Sequence, residues 1–356
     1  MKEPVSSLDP EIIARRVAAR CTARRAVSGN RALDFTLDAL LTMDEATGRR
    51  EYRPYVLSIV NARHGPPAEP SLNDSHPFFR LDYKLFQATG DRRYVATFVE
   101  ECARRRREAG RSPEGAVTLD HGNPGRHVRL DILPDYMVCM AQTGILSQDE
   151  SFLLECVTQC EAYRHILRDP ATGLWSQGRG WMRDPVELSP GAWSRGHGAL
   201  LRGIVAALDV LPRTSSYFAE MQGHLWETAD SLLKRQDAEG MWHQLLHLPA
   251  GQSDRDAAGT GLVCCALARA LHQGYLAKTR YRRAANRAFQ GVARCVTEEG
   301  LVTHVSPDPG PLRSVANYLG KPGATEDGEG FGPAAVIMAC AGRVLLDQPP
   351  LQTAPL

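Results

Sequence analysis

The chain has 356 residues, with 42 Lys+Arg against 41 Asp+Glu and a net charge of +1. Near neutrality argues against a nucleic-acid or membrane-surface protein, which carries a strong basic excess. Hydrophobic residues make up 43%, enough for a sizeable core, while the longest apolar run, Ala334 to Ala341, falls far short of the roughly 20 residues a spanning helix needs.

Helical periodicity runs almost throughout, and β-type alternation is rare. The pattern predicts twelve helices, at about 9–26, 31–46, 50–63, 77–89, 92–109, 130–143, 148–168, 196–210, 216–235, 256–273, 279–296 and 331–346. The clearest is 196–210, where Leu200, Leu201, Ile204, Val205 and Leu208 form one apolar stripe. A short joint recurs between helices, as in Gln87–Tyr94, Gln142–Gln148, Val210–Thr214 and Gln273–Lys278. Gly or Pro stops one helix there, and the next one starts a few residues on. The first helix of each pair is the more apolar. Gly261-Leu-Val-Cys-Cys-Ala-Leu-Ala268 contrasts with Tyr281-Arg-Arg-Ala-Ala-Asn-Arg287 after it. An all-apolar helix is buried and an amphipathic one covers it.

Six such pairs closing on themselves give an all-α (α/α)6 barrel, read as one domain over 1–356. The rival is an open solenoid of helix pairs, which usually keeps a tighter repeat. Four long segments lead from an outer helix to the next inner one: 110–129, 169–195, 236–255 and 297–330. Long loops in a compact domain are usually functional. This topology puts all four at one end, around the N-termini of the inner helices, where backbone N–H groups favour anions.

The nine cysteines contain no CxxC pair, and Cys156 and Cys160 sit one helical turn apart. Helix-embedded, unpaired cysteines fit a reducing cytosol. The first residues, Met-Lys-Glu-Pro, lack the apolar stretch of a signal peptide. A soluble cytoplasmic protein is expected, with no nucleic-acid or membrane partner. Oligomeric state is not legible.

All five tryptophans lie between positions 175 and 242. Trp226 fits an outer helix and reads as packing. Trp175, Trp181, Trp193 and Trp242 fall in or beside the long loops, where flat rings can stack on sugars. Trp193-Ser-Arg-Gly-His-Gly198 leads into the clearest helix. Arg195 at a helix start opposes the macrodipole and suits a bound carboxylate. His197 is a candidate hydrogen-bonding group. Asp131 opens the helix at 130–143, and Leu72-Asn-Asp-Ser-His-Pro77 precedes an earlier inner helix. Asp74 there is a candidate partner for Asp131, since two environments can separate two carboxyl pKa values. No P-loop, nucleophile elbow or HExxH motif is present.

These segments resemble glycoside hydrolase families 105 and 88, the unsaturated rhamnogalacturonyl and glucuronyl hydrolases. The resemblance covers about residues 70 to 345. Trp193-Ser-Arg-Gly-His-Gly198 running to Leu211-Pro212 looks like the family's Trp-x-Arg-Gly helix. Asp169-Pro-Ala-Thr-Gly-Leu-Trp175, Gln236-Asp-Ala-Glu-Gly-Met-Trp-His243 and Gly330-Phe-Gly-Pro333 are similar to further family segments. The resemblance implies an (α/α)6 barrel, an oligosaccharide or small-molecule substrate, and no metal or cofactor. It implies hydration of the C4–C5 double bond of an unsaturated uronic acid. Asp131 matches the aspartate that protonates C4 and activates the water attacking C5. Asn73 or Asp74 falls at an assisting position, and Gln177 stands where the family has a histidine. The chain departs from the family at Arg129, where a Trp is usual, and at Gln177 and Ala199. These departures motivate a second reading, the same barrel with another reaction on a small molecule or glycosylated metabolite. A third is a non-catalytic helical binding protein.

Overall fold

The structure, a computed structural model, describes residues 8–23, 31–62, 81–118, 125–328 and 330–351. Helices α1 Pro10–Ala23, α2 Arg31–Thr47, α3 Arg53–Ala62, α4 Asp82–Thr89 and α5 Phe98–Glu108 form the first part. Strand β1 Val128–Arg129 and a 3₁₀ turn Leu130–Ile132 lead into α6 Leu133–Ser147 and α7 Glu150–Leu167. Next come β2 Gly178–Arg179, α8 Ser194–Leu208, α9 Ser216–Leu233, α10 Ala257–His272 and α11 Thr279–Ala293. The last elements are β3 Val302–Val305, α12 Val315–Leu319, β4 Ala324–Glu326 and α13 Phe331–Asp347.

The architecture is the expected (α/α)6 barrel. Around the inner ring α2 packs on α13, α13 on α10, α10 on α8 and α8 on α6. Helix α4 completes the ring beside α2, where Lys84 Nζ bonds Asp38 and Thr42. Outer helices α7, α9 and α11 cover α6, α8 and α10. Helix α1 covers α13, so the first helix of the chain shields the last inner one.

Inner and outer roles follow from composition. In α10 nearly every residue from Ala257 to Leu271 is buried. In α11 burial takes Tyr281, Ala284, Ala285, Ala288, Phe289 and Val292, a helical stripe, and the arginines between them face outward. Glycines let the inner helices approach closely. A Cβ on Gly198 would meet Gly259 O at 2.9 Å, and one on Gly261 would meet Ala335 O at 2.5 Å. Those contacts pull the starts of α8, α10 and α13 together. Asp149, Ser215 and Asp256 cap the starts of α7, α9 and α10 with side-chain oxygens.

The boundaries differ from expectation in three places. The predicted helix 92–109 is a 3₁₀ turn at Arg92–Val95 followed by α5, because Asp91 folds back to accept from Arg93 N. The helix predicted from 130 starts as a 3₁₀ turn, and the α-helix proper begins at Leu133 with Pro134 in its first turn. The long segment 297–330 holds α12 and the β3–β4 hairpin, which no periodicity announced. Positions 77–80 of the predicted helix 77–89 lie outside the described residues. No described helix is long and apolar enough to cross a membrane.

Candidate active site

The N-terminal ends of α6, α8, α10 and α13 converge at one mouth of the barrel. Ser194 Oγ, in the first turn of α8, donates to Asp256 Oδ2 at the cap of α10 at 2.5 Å. Asp256 Oδ1 accepts from Ala258 N and from Ser306 N, tying the segment after β3 to the same point. Glu326 Oε2 accepts from Gly332 N in the first turn of α13. Burial pushes the Glu326 carboxyl above its usual range, against the pull of that N–H and of Arg195.

Asp131 sits in the 3₁₀ turn entering α6 and is buried. A Cβ on Gly196 would lie 3.3 Å from Asp131 Oδ1, so that glycine leaves room for the carboxyl group. Asp131 Oδ2 accepts from Arg129 Nε at 2.7 Å. Strand β1 pairs antiparallel with β2, Arg129 opposite Gly178, and this holds Arg129 extended beside the mouth. Arg129 Nη2 donates to Asp308 Oδ1 at 3.1 Å. Burial works against the Arg129 charge, but Asp131 and Asp308 outweigh it and hold the guanidinium above its ordinary range.

Arg195 is brought to the same place, as its helix-start position suggested. It is buried, and its Nη1 donates to Ser306 O at 2.9 Å. Its guanidinium lies over the rings of Trp193 at 4.3 Å and Phe331 at 4.6 Å. Its Nη2 is 3.6 Å from Asp308 Oδ2. Protein oxygens and rings hold this guanidinium, and its buried Nη2 has no hydrogen-bond acceptor among the described residues.

The aromatic residues separate into two groups. Trp181 is half-buried, with its ring 4.7 Å from that of His127 and its carbonyl accepting from Arg313 Nε. It remains a candidate platform. Trp175, Trp193 and Trp242 are each 2% exposed or less. Trp242 Nε1 donates to Leu232 O inside the core, and Trp193 Nε1 donates to Ser306 Oγ. The expected stacking faces on Trp175 and Trp242 are corrected to core packing, and that of Trp193 is covered by Arg195. Trp226, expected to pack, is 49% exposed and anchored by Nε1 to Tyr275 O.

His197 is also corrected, from ligand contact to structural joint. Its Nε2 accepts from Trp175 N at 2.9 Å, so Nδ1 carries the proton and donates to Trp193 O at 2.8 Å. Burial depresses its pKa to about 4. A folded-state value below the unfolded one near 6.5 means stability is whole above that pH and is lost as pH falls toward 4. The loss should reach about 3 kcal/mol. Urea unfolding between pH 7 and pH 4 measures it, and His197→Asn should flatten the profile.

Gln177 is fully buried, its Oε1 accepting from Tyr318 Oη at 2.6 Å and its Nε2 without an acceptor among the described residues. The Tyr318 hydroxyl also meets Ser189 Oγ and Leu312 N. It stitches the 169–195 and 297–330 loops together beside Asp131. Asn73 and Asp74 lie outside the described residues. Asp308, Ser306, Asp256, Glu326 and Tyr318 were missed by sequence reasoning. The available signals were Asp256 before a small-residue helix start and Asp308 among three prolines, Pro307, Pro309 and Pro311. A separate cavity, lined by Asp38, Thr42, Lys84, Arg202 and Arg269, reaches the C-terminal ends of α8 and α10, where Asp209 and Arg269 are in its wall. Its charged groups are paired with protein groups, and Asp131 is not among its walls.

The molecule is thus an inner helical ring with carboxyl groups and two arginines at its mouth. A model of Glycosyl Hydrolase Family 88 matches residues 32–345, and the chain belongs to that family. It is 25% identical over 262 residues to the unsaturated rhamnogalacturonyl hydrolase YesR of Bacillus subtilis, covering 72% of each chain. It is 29% identical over 131 residues to an unsaturated 3S-rhamnoglycuronyl hydrolase of Formosa agariphila, a match spanning only 35% of either protein. Among solved structures, a possible family 105 member from Klebsiella pneumoniae superposes with a TM-score of 0.80 at 19% identity, covering 97% of this chain and 95% of the other. The unsaturated glucuronyl hydrolase of Bacillus sp. GL1 gives 0.65 at 15% identity, covering 93% and 94%. These structural likenesses establish the barrel fold.

Proposed function

We propose that the chain hydrates the C4–C5 double bond of a terminal unsaturated uronic acid and so releases it from an oligosaccharide. The observation that carries the reading is Asp131, a buried carboxyl group at the mouth of a family 88 barrel, held by Arg129 and facing Gly196. The relatives named for unsaturated glycuronyl substrates support the same chemistry.

In this mechanism Asp131 gives a proton to C4 and takes one from the water that adds to C5. The proton that the side chain gives to C4 is replaced by the one it takes from the water. The C5 hemiketal opens to a ketone, the ring oxygen keeps its place on C1, and the C1 hemiacetal expels the remaining saccharide with its own oxygen. General acid–base work of this kind contributes about 10²–10⁴-fold. Trp181 is the aromatic face left for a sugar ring, and Asn73 or Asp74 is the assisting residue. The whole chain acts as one domain in the cytosol, a placement supported by nine free, buried cysteines. The second reading, a different reaction on a small molecule, is favoured by Arg129 standing on Asp131.

The test compares an unsaturated uronide disaccharide with its saturated counterpart of the same linkage. Only the unsaturated one should be cleaved, as seen by mass spectrometry of the released sugar. Equal cleavage of both would mean that the chemistry occurs at C1 and not at the double bond.

A further inference from the structure

The mouth continues outward past Arg129 onto a surface groove. Gly178, opposite Arg129 in the β1–β2 pair, lies against two rings. A Cβ there would meet Trp181 Cζ3 and Pro311 Cγ, each at 2.9 Å. Trp181 is the half-buried tryptophan already described, and Pro311 opens a groove lined also by Leu312, Arg313, Ala316, Asn317 and Lys321. Arg313 joins the two features, its Nε donating to Trp181 O at 3.1 Å. From Asp131 the path through Arg129, Gly178 and Trp181 to the α12 groove is therefore continuous.

The groove has a fixed floor and two uncompensated cations. Tyr318, buried under α12, donates to Gln177 Oε1 at 2.6 Å and accepts from Leu312 N at 3.0 Å. Lys321 N donates to Tyr318 O, and Lys321 O accepts from Gln244 Nε2 at 3.3 Å. The side chains of Arg313 and Lys321 are exposed, and neither meets a carboxylate among the described residues. Other exposed arginines do. Arg15 sits on Glu51, Arg104 on Glu108 and Arg280 on Asp230. In a chain whose charges nearly cancel, this groove is a local positive surplus. A positive groove leading off an aromatic platform is complementary to a saccharide that carries negative charge.

We propose that the α12 groove receives the saccharide released from C1, and that Arg313 and Lys321 select one bearing an anionic group, a sulfate ester or a carboxylate. The proposal rests on the hydration reading above and extends it from the uronic acid to the sugar it leaves behind. The first released sugar lies on Trp181. Arg313, whose Nε is taken by Trp181 O, offers its Nη groups to an oxyanion on that sugar or the next. Lys321 adds a point charge farther along the same groove. Both cations are exposed and therefore screened, so they discriminate among leaving saccharides without dominating affinity. Arg313 and Lys321 are here specificity-determining residues, and the chemistry stays with Asp131.

The experiment follows loss of C4–C5 absorbance for three oligosaccharides that share one unsaturated uronic acid and one linkage. The released disaccharide is neutral in the first, carries a sulfate ester in the second and carries a carboxylate in the third. KM and kcat are measured for the full chain and for Lys321→Ala, Arg313→Ala and the double variant. At low salt wild type should show a KM at least about threefold lower for one or both anionic substrates than for the neutral one, the size expected of two exposed cations. Which anionic substrate it prefers separates sulfate from carboxylate. Each single variant should reduce the ratio, and the double variant should bring it near one, with KM carrying the change. Lys321→Ala leaves the Arg313–Trp181 bond in place, so it reports on charge without disturbing the platform. Salt at about 0.5 M should also shrink the wild-type ratio. A wild-type ratio under about threefold, or one left unchanged in the double variant, overturns the groove while the hydration reading stands. No loss of absorbance with any of the three overturns both.

Discussion

Asp131→Asn is expected to lower turnover of an unsaturated uronide by about 10³-fold, within the usual range for losing a general acid–base. The substitution keeps the shape of the side chain, and its amide oxygen can still accept from Arg129 Nε where the carboxylate now does. Gly196 still leaves the room that the group needs. What is lost is a group that can both deliver a proton to C4 and receive one from water. Progress curves give the rate, and a thermal unfolding curve beside wild type separates lost chemistry from lost fold. A variant keeping more than about a tenth of the activity would move the acid elsewhere. The first alternative to examine would be Glu326, the mouth carboxyl that burial pushes up.

Asp38→Ala is expected to cost about 3–5 kcal/mol of stability, the usual result of removing one partner from a buried ion pair. Asp38 lies in α2 and is buried, with Oδ1 on Lys84 Nζ at 2.5 Å and Oδ2 on Arg202 Nη1 at 2.7 Å. It therefore ties α2, α4 and α8 together within the barrel. Burial raises its pKa, but Lys84 and Arg202 outweigh burial and hold it at about 2. The folded value lies below the ordinary carboxylate value, so this contribution is present above about pH 4 and disappears as pH falls through 2. Linkage puts the pH-dependent part at about 2 kcal/mol. The larger cost in Asp38→Ala arises because Lys84 and Arg202 both lose the buried carboxylate they are bonded to. Urea unfolding at pH 7 checks the first figure, and the wild-type profile between pH 4 and pH 2 checks the second. The pH window also separates this residue from His197, whose contribution is lost at higher pH.

The helix pairs were legible because burial writes itself into periodicity. The contrast between Cys264-Cys265-Ala266 and Arg282-Arg283 is the contrast between an inner helix and an outer one. Arg195 was legible for a different reason, being a cation placed where a helix start does not want one. Asp131 came with the resemblance, since a carboxylate in a first turn is also what a helix wants for itself. The tryptophans were misread because loop sequence carries no period, and nothing in a Trp-Gly neighbourhood tells which way the ring turns. Trp175 and Trp242 turn into the core. Asp308 and Tyr318 escaped notice because their partners are remote. Asp308 meets Arg129 across 179 positions, and Tyr318 meets Gln177 across 141. Such pairings come from closing the ring, where α13 packs on α2. Local pattern cannot encode them.

Arg129 changes how the mouth should be pictured. A residue type foreign to the resembling motif has become the hub of the site, bonded to the acid on one edge and to Asp308 on the other. The mouth holds Asp131, Asp256, Asp308 and Glu326 against Arg129 and Arg195.

The most direct measurement is the ultraviolet absorbance of the C4–C5 double bond during incubation of the purified chain with unsaturated uronide disaccharides of differing linkage. Absorbance should fall for at least one of them, in step with release of the partner sugar. A flat absorbance across the whole panel, with an active unsaturated glycuronyl hydrolase consuming the same substrates in parallel, would contradict hydration as the function of this barrel.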